Sequence, residues 1–197
     1  MDSTDFYPLS GVEPYGTQRS ITDERSHRKR MCALGYRVFG ALRWGQLGDG
    51  HISARDPELS DHFWILDHGV PFRLATMNNL VLVGPDGVVA ERGPDASGGV
   101  NAAGYNIHSP ILQARLDAVS VAHTHTPHGT AWSANAKLFN AISQESTAFV
   151  FDQALFDDEE VEVLNLKGGR RIADAAGRAR LCILRNHGLL TIGATVE

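Results

Sequence analysis

The sequence predicts an α/β fold in which helices flank a central, mostly antiparallel sheet. The 197 residues, 43% of them apolar, suffice for one domain with a full hydrophobic core. Strand-like and helix-like patterns occur without a repeating strand–helix–strand unit, which favours an antiparallel sheet over a parallel one. At residues 79–91, two β-branched runs flank Pro85-Asp86-Gly87, which is typical of a hairpin turn.

The chain divides into an N-terminal arm and one domain. Residues 1–20 lack periodicity and are rich in Gly, Pro, Ser and Thr, which predicts an extended arm. The domain at 21–197 begins with a helix, because Thr22 precedes two acidic residues and apolar residues then recur every three or four positions to about Trp44. Strands are predicted within 48–57, at 63–66, within 79–91, at 119–123, 147–151, 161–166 and 180–192, and helices at 107–116, 130–138 and 169–177. The last five residues resemble the cap and first turn of a further helix, which is typical of a chain that lacks its C-terminal helices.

The composition argues against several classes of partner. The formal net charge is −5 and no basic patch suited to nucleic acid stands out. No apolar run approaches the ~20 residues of a membrane span, and the N-terminus has no signal-peptide pattern. The two cysteines, Cys32 and Cys182, lie far apart in apolar patterns, which fits a reducing compartment. We therefore expect a soluble, cytoplasmic protein with a small-molecule partner.

Three histidines at strand ends are candidate metal ligands. His123 and His125 stand two apart after an apolar run, so they share one face of a strand with Cα atoms roughly 6–7 Å apart. His187 ends a second apolar strand and is followed by glycine. Catalytic zinc commonly takes three protein ligands and a water, which these residues could supply. The alternative is a polar strand surface without a metal.

Four motifs together resemble the class II aldolase/adducin family. They are Gly50-His-Ile-Ser53, Asn101-Ala-Ala-Gly-Tyr-Asn-Ile-His108, His123-Thr-His125 and Asn186-His-Gly188. The resemblance implies a three-layer α/β/α domain around a mostly antiparallel sheet, assembled as a homotetramer. It also implies a divalent metal, zinc before iron or manganese, on His123, His125 and His187.

The same motifs depart from those of the sugar-phosphate aldolases in this family. Those enzymes have a Ser-Ser-Glu motif that supplies an acid/base, and the matching positions here are Ala102, Ala103 and Gly104. His51 stands where the family's phosphate loop usually has asparagine. The resemblance is therefore to the adducin branch and its bacterial and fungal relatives. Unlike animal adducins, this chain keeps the metal-ligand set.

Several residues are candidates for the remaining roles. We predict His128 or Glu145 as the acid/base; the alternatives are a turn residue hydrogen-bonded to the backbone for His128 and a surface carboxylate for Glu145. His108 is similarly placed, with a buried structural role as its alternative. His51, Gly104 and Tyr105 are predicted to contact the substrate. A structural role is the alternative for Tyr105.

The predicted function is a metal-dependent, aldolase-type lyase. A metal ion on neutral imidazoles keeps its full charge and can stabilise an enolate, which suits a small non-phosphorylated carbonyl compound such as a hydroxy-oxo acid. The alternatives are an iron-dependent oxygenase on the same scaffold, because imidazole also suits iron, and a non-catalytic, adducin-like assembly module.

Overall fold

The described residues form one mixed sheet with helices on both faces. The computed structural model describes residues 19–45, 49–158 and 163–197. The strands are β1 (Gly50–Arg55), β2 (Phe63–Leu66), β3 (Leu80–Val83), β4 (Val89–Arg92), β5 (Ser120–Thr124), β6 (Gln153–Phe156), β7 (Leu181–Leu184) and β8 (Gly188–Gly193). The helices are α1 (Ile21–Leu42), α2 (Ala102–Ala114), α3 (Pro127–Ser133), α4 (Gln144–Thr147) and α5 (Leu166–Ala176). Short 3-10 turns occupy Phe72–Leu74 and Met77–Asn79.

Within the described ranges the sheet has eight strands in the order β4-β3-β2-β1-β5-β8-β7-β6. Every neighbouring pair is antiparallel except β6 and β7. The predicted α/β fold with a mostly antiparallel sheet is therefore confirmed. Strands β1, β5 and β8 lie at its centre, which places residues far apart in sequence side by side.

Alternating side chains on the inner strands build the two sides of the core. Phe63 and Ile65 face the side covered by α2 and α5, whereas Trp64 and Leu66 face the side covered by α1. Residues two apart share one face of a strand, so β2 is apolar on both faces. This burial on both sides produces the three layers.

Helix α1 lies on one face of the sheet. Its N-cap is Ser20, whose Oγ accepts a hydrogen bond from Asp23 N, and Arg43 ends it in the left-handed region at φ 59°. The buried Tyr36 hydroxyl donates to Ile52 O and accepts from Ile52 N, both at 2.9 Å. These bonds attach α1 to the strand that carries His51.

Helices α2 and α5 pack closely on the opposite face. A Cβ atom added at Gly169 would lie 1.7 Å from Asn106 O, so α5 approaches α2 more closely than a larger residue allows. Helix α2 begins at Ala102 rather than at the predicted residue 107, because Asn101 Oδ1 accepts from Gly104 N and caps the helix early. Helix α2 thus carries Gly104 as well as His108.

Other sequence predictions need correction. The helix predicted at 130–138 is α3, which starts earlier at the cap Thr126 and ends before Ala136, a residue at φ 48°. The strand predicted at 147–151 is wrong: these residues end α4 and form a turn, and β6 follows them. Within the pattern at 161–166, residues 163–165 form no strand and Leu166 begins α5, while 161 and 162 lie outside the described residues.

Two further sequence predictions concern the N-terminus and membranes. Residues 1–18 of the predicted arm lie outside the described residues. In the described ranges, no helix combines the length and hydropathy that a bilayer-spanning segment requires.

Candidate metal centre

The central strands bring the three candidate ligands together. His123 lies near the end of β5, His125 follows that strand, and His187 precedes β8. Because β5 and β8 are antiparallel, with Thr124 paired to Leu189, the end of one strand meets the start of the other. We call His123, His125 and His187 the histidine triad.

The backbone of the turn before β8 allows His187 to lie close to the end of β5. Asn186 adopts a left-handed conformation at φ 56°, which asparagine tolerates better than most residues. A Cβ atom added at Gly188 would lie 2.4 Å from Thr124 O, so only glycine allows β8 to start so close to β5. Asn186 and Gly188 thus hold His187 beside the other two histidines.

The nitrogen atoms of the triad converge on one point. One ligating nitrogen from each ring lies within 4.8 Å of the others, and His123 Nε2 is 2.8 Å from His125 Nε2. His123 Nδ1 donates a hydrogen bond to Leu189 O at 3.0 Å, which leaves the lone pair on Nε2. Two such nitrogens at 2.8 Å need a proton or a cation between them.

Burial favours the neutral form of the triad. Burial, followed by the neighbouring histidines, lowers the pKa of His187 to about 4 and that of His123 well below its ordinary value. Burial also lowers the pKa of His125, and the charge of the nearby Asp49 carboxylate offsets part of this effect. Neutral imidazoles are the form that binds a metal, and in the described part of the chain no carboxylate joins their cluster. The triad therefore fits a divalent metal.

A second set of buried polar side chains adjoins the triad. His51 on β1 pairs with His123 across the sheet, and their ring centroids are 5.1 Å apart. His51 Nδ1 lies 2.7 Å from His108 Nε2, and His108 Nδ1 lies 2.6 Å from Ser53 Oγ. We call Ser53, His108 and His51 the buried relay. Ser53 is a member that the sequence reasoning did not assign, although it lies two residues from His51 and so on the same strand face.

The structure separates the predicted substrate-contacting residues. Gly104 lies against His51, because a Cβ atom there would be 3.3 Å from the ring atoms Cγ and Cδ2. Tyr105 instead donates from its hydroxyl to Pro85 O at 2.7 Å and stacks on Phe63 at 6.4 Å. Its hydroxyl therefore fastens α2 to the hairpin, and the structure does not bring it to the triad.

The predicted acid/base residues lie on short helices. His128 is exposed in the first turn of α3, and Glu145 is exposed in α4. Hydrogen bonds from its own backbone and from Ser143 lower the pKa of Glu145. The structure does not bring Glu145 into the cluster of potential ligands, and both acid/base assignments stay predictions.

A small cleft lies beside His51. It has a volume of about 10 Å³, and Gly50, Asn101 and Asp67 are among its lining residues. This volume accommodates about one water molecule. The buried Asp67 carboxylate accepts from Ser97 N and Gly98 N through Oδ2, while its Oδ1 has no hydrogen-bond partner among the described residues. The cleft beside His51 thus combines a buried carboxylate with apolar lining residues such as Ile65 and Phe72.

Comparison with known proteins agrees with the fold and with the family resemblance. The profile of the class II aldolase and adducin N-terminal domain matches residues 29–197. The chain belongs to the class II aldolase and adducin family, as its four motifs predicted.

Two relatives are of similar length and identity. Decarboxylase NovR of Streptomyces niveus is 35% identical over 179 residues, which cover 90% of this chain and 65% of the relative. The 4-hydroxy-3-prenylphenylpyruvate oxygenase/4-hydroxy-3-prenylbenzoate synthase of Streptomyces roseochromogenus subsp. oscitans is also 35% identical, with coverage of 90% and 64%. The chain thus spans slightly less than two thirds of these relatives.

A solved structure supports the fold. The L-fuculose 1-phosphate aldolase from Glaciozyma antarctica PI12 superposes with a TM-score of 0.83 and 35% sequence identity. The match covers 92% of this chain and 69% of that one.

Proposed function

We propose that this domain binds a divalent metal on His123, His125 and His187, and that it cleaves a carbon–carbon bond beside the carbonyl group of a small, non-phosphorylated oxo acid. The observation that carries the proposal is the convergence of three neutral imidazole nitrogens at the centre of the sheet. Zinc is our first choice, before iron or manganese, because three histidines are a common zinc-ligand set.

The chain's own groups prepare this site in two ways. A divalent ion, when bound, polarises a carbonyl oxygen and stabilises the negative charge of an enolate. Leu189 O fixes the His123 ring with its Nε2 towards the other two histidines. Because all three ligands are neutral, the site keeps a positive charge that suits the carboxylate of an oxo acid.

The start of α2 argues for a substrate without a phosphate group. A phosphate dianion requires several hydrogen-bond donors. Ala102, Ala103 and Gly104 offer no donor side chain, and Gly104 N already donates to Asn101 Oδ1 at 3.1 Å. The related structure named L-fuculose 1-phosphate aldolase makes a sugar phosphate the competing substrate class.

The names of two relatives support an oxo acid and favour a second candidate. One is a decarboxylase by name, and the other is named for the oxygenation of a phenylpyruvate, which is a 2-oxo acid. Iron-dependent oxygenation is therefore the second candidate. The common iron facial triad contains a carboxylate; among the described residues none lies within the cluster of ligating nitrogens, although the charge of Asp49 acts on His125.

Metal analysis tests the site. We expect about one metal ion per chain, with its loss when His123 and His125 are both replaced by alanine. His62→Ala is the matched control, because that histidine pairs with Asp61 at the surface and should leave the metal content unchanged. The absence of metal after reloading would overturn the proposal and favour the adducin-like assembly module.

A substrate screen tests the reaction. The protein is loaded with zinc, manganese or anaerobic Fe(II) and offered hydroxy-oxo acids, arylpyruvates and L-fuculose 1-phosphate. Cleavage of an oxo acid without oxygen is the expected result. Turnover that requires both iron and oxygen would establish the oxygenase, and turnover of the sugar phosphate alone would refute the substrate class.

We also propose an oligomeric state and an acid/base group. We expect a homotetramer, which light scattering on the eluting protein measures. His128→Ala and Glu145→Gln test the acid/base assignment: the residue that acts should lower turnover without changing the metal content.

A further inference from the structure

The hydrogen bonds of the buried relay determine which of its atoms carry the protons. Ser53 Oγ is buried on β1 and lies 2.6 Å from His108 Nδ1. Among the described residues, the Ser53 hydroxyl makes this one hydrogen bond. A buried hydroxyl that donates to no acceptor costs free energy. Ser53 therefore donates its proton to His108 Nδ1, which acts as the acceptor.

This orientation fixes both histidines. Because His108 accepts at Nδ1, its own proton lies on Nε2 and is donated to His51 Nδ1 at 2.7 Å. His51 accepts at Nδ1, so its proton lies on Nε2. The reverse orientation would leave the Ser53 hydroxyl without an acceptor and would expose a lone pair on His51 Nε2.

The edge of His51 that carries this proton has no other use in the described chain. Nδ1 is bound to His108, and the Cγ–Cδ2 edge lies against Gly104. Nε2 makes no hydrogen bond in the parts of the chain that the structure describes. The ring stands across from His123 at 5.1 Å, so it adjoins the place where a substrate would bind.

We infer that His51 is a catalytic residue that donates a neutral hydrogen bond from Nε2 to the substrate oxygen on which negative charge develops, with His108 and Ser53 as positioning residues. The inference rests on the proposed function, because it requires a carbonyl substrate at the triad. His51 keeps its proton throughout, so it stabilises charge and does not act as a base.

Two features suit His51 to this role. The His51 ring is buried and accepts at Nδ1 from His108, so it carries one proton and adds no positive charge beside a bound cation. A fixed neutral donor aimed at developing charge needs no reorganisation during the reaction. Gly104 also leaves room for it, since a Cβ atom there would press on the His51 ring at 3.3 Å and on Ile65 Cδ1 at 3.0 Å.

The first experiment reads the proton positions directly. Zinc-loaded protein labelled with ¹⁵N-histidine is studied by two-bond ¹H–¹⁵N correlation between pH 6 and 8, and His51→Phe and His108→Phe assign the two rings. We expect both rings to carry their proton on Nε2 throughout. A proton on Nδ1 of His51, a charged ring, or a zinc-bound Nε2 would overturn the inference.

Ser53→Ala is the subtler variant, because it removes one oxygen atom from the relay. Without the hydroxyl donor, His108 loses the reason to accept at Nδ1, and we expect a mixture of tautomers in both rings. Unchanged tautomers would refute the positioning role of Ser53. If the phenylalanine variants do not fold, the spectrum of Ser53→Ala replaces them. Comparison with that spectrum then assigns the wild-type signals of His51 and His108.

The second experiment measures the donor function without turnover. Oxalate, whose shape and charge resemble the enolate of a 2-oxo acid, is titrated calorimetrically into the zinc-loaded protein. His51→Phe should bind oxalate roughly 10- to 100-fold more weakly at unchanged zinc content, in line with the loss of one hydrogen bond to a charged group. His51→Gln, whose amide N–H reaches the position of Nε2, should recover part of the affinity.

The outcomes separate the inference from the proposed function. If the wild type binds zinc and oxalate, and His51→Phe binds both equally well, the donor role is refuted while the metal site stands. If His51→Phe loses zinc, His51 is a ligand and the inference is wrong. If the wild type binds none of zinc, manganese and Fe(II), or its metal-loaded form binds no oxalate, the proposed function fails and the inference fails with it.

Discussion

Replacement of Asp56 by asparagine should destabilise the domain by about 3–5 kcal/mol, the usual cost of breaking a buried ion pair. The Asp56 side chain is fully buried, and its oxygens accept from Arg25 Nε at 2.7 Å and Arg25 Nη2 at 2.8 Å. They also accept from Trp64 Nε1 at 2.8 Å and from the backbone N–H groups of Glu58 and Leu59. The variant loses the charge and turns an amide N–H group towards donors.

Asp117→Asn is the matched control. Asp117 also binds an arginine through both oxygens, but its side chain is 59% exposed. Exposed pairs contribute less than about 1 kcal/mol. Urea unfolding of both variants and the wild type, at equal m-values, gives the two differences. A loss for Asp56→Asn no larger than that for Asp117→Asn would refute the argument that burial makes the first pair important.

The pH dependence of stability gives a second measure of the contribution of Asp56. Burial raises the pKa of Asp56, but the hydrogen bonds from Arg25, Leu59 and Trp64 outweigh it and hold the pKa well below the ordinary value. A carboxyl group with a lowered pKa stabilises the fold fully above its unfolded pKa of about 3.9, and this contribution falls as the pH drops towards the folded pKa. The difference between wild type and Asp56→Asn should therefore shrink by roughly 1.4 kcal/mol per pH unit below 3.9.

Three further predictions concern the site and its support. Zinc binding at pH 6.5, followed calorimetrically in buffers of different ionisation enthalpy, should release well under one proton, whereas three ordinary histidines would release roughly 1.5; release near that figure would contradict the lowered pKa values of the triad. Tyr105→Phe should cost about 1 kcal/mol in urea unfolding through the lost bond to Pro85 O and leave zinc content unchanged; lost zinc would place Tyr105 at the site. Gly169→Ala should cost at least 1–3 kcal/mol, because its Cβ would overlap Asn106 O, whereas Gly99→Ala, with open space around it, should cost less than about 1 kcal/mol; equal losses would contradict the close packing of α2 and α5.

The sequence predicts correctly those elements that local residue patterns determine. The long helix α1 follows from apolar residues at intervals of three or four, and it was placed to within two residues at each end. The hairpin of β3 and β4 follows from its turn residues. The triad could be predicted because each histidine follows an apolar strand, and strand ends are where side chains meet in a sheet.

The incorrect predictions concern residues whose conformation is determined by tertiary contacts. Nothing in the sequence shows that the chain leaves the helical conformation at Ala136, because no glycine or proline stands there. The apolar run at 147–151 resembles a strand, yet Phe151 is fully exposed and the parallel partner of β7 is Gln153–Phe156. Pairing with a strand almost thirty residues further along the chain fixes that register, and a local pattern does not contain it.

The contrast between the triad and the buried relay gives the last argument for a bound cation. In the relay, one orientation of the protons gives the Ser53 hydroxyl and both histidine contacts a matched donor and acceptor. In the triad, the His123 lone pair points at the other ring nitrogens, and lone pairs that face each other repel unless a proton or a cation lies between them. A neutral His125 ring with its proton on Nε2 would satisfy this one contact, whereas a cation would be shared by all three rings. The convergence of the third ring nitrogen, from His187, on the same point is the observation that favours a cation over a proton at this site.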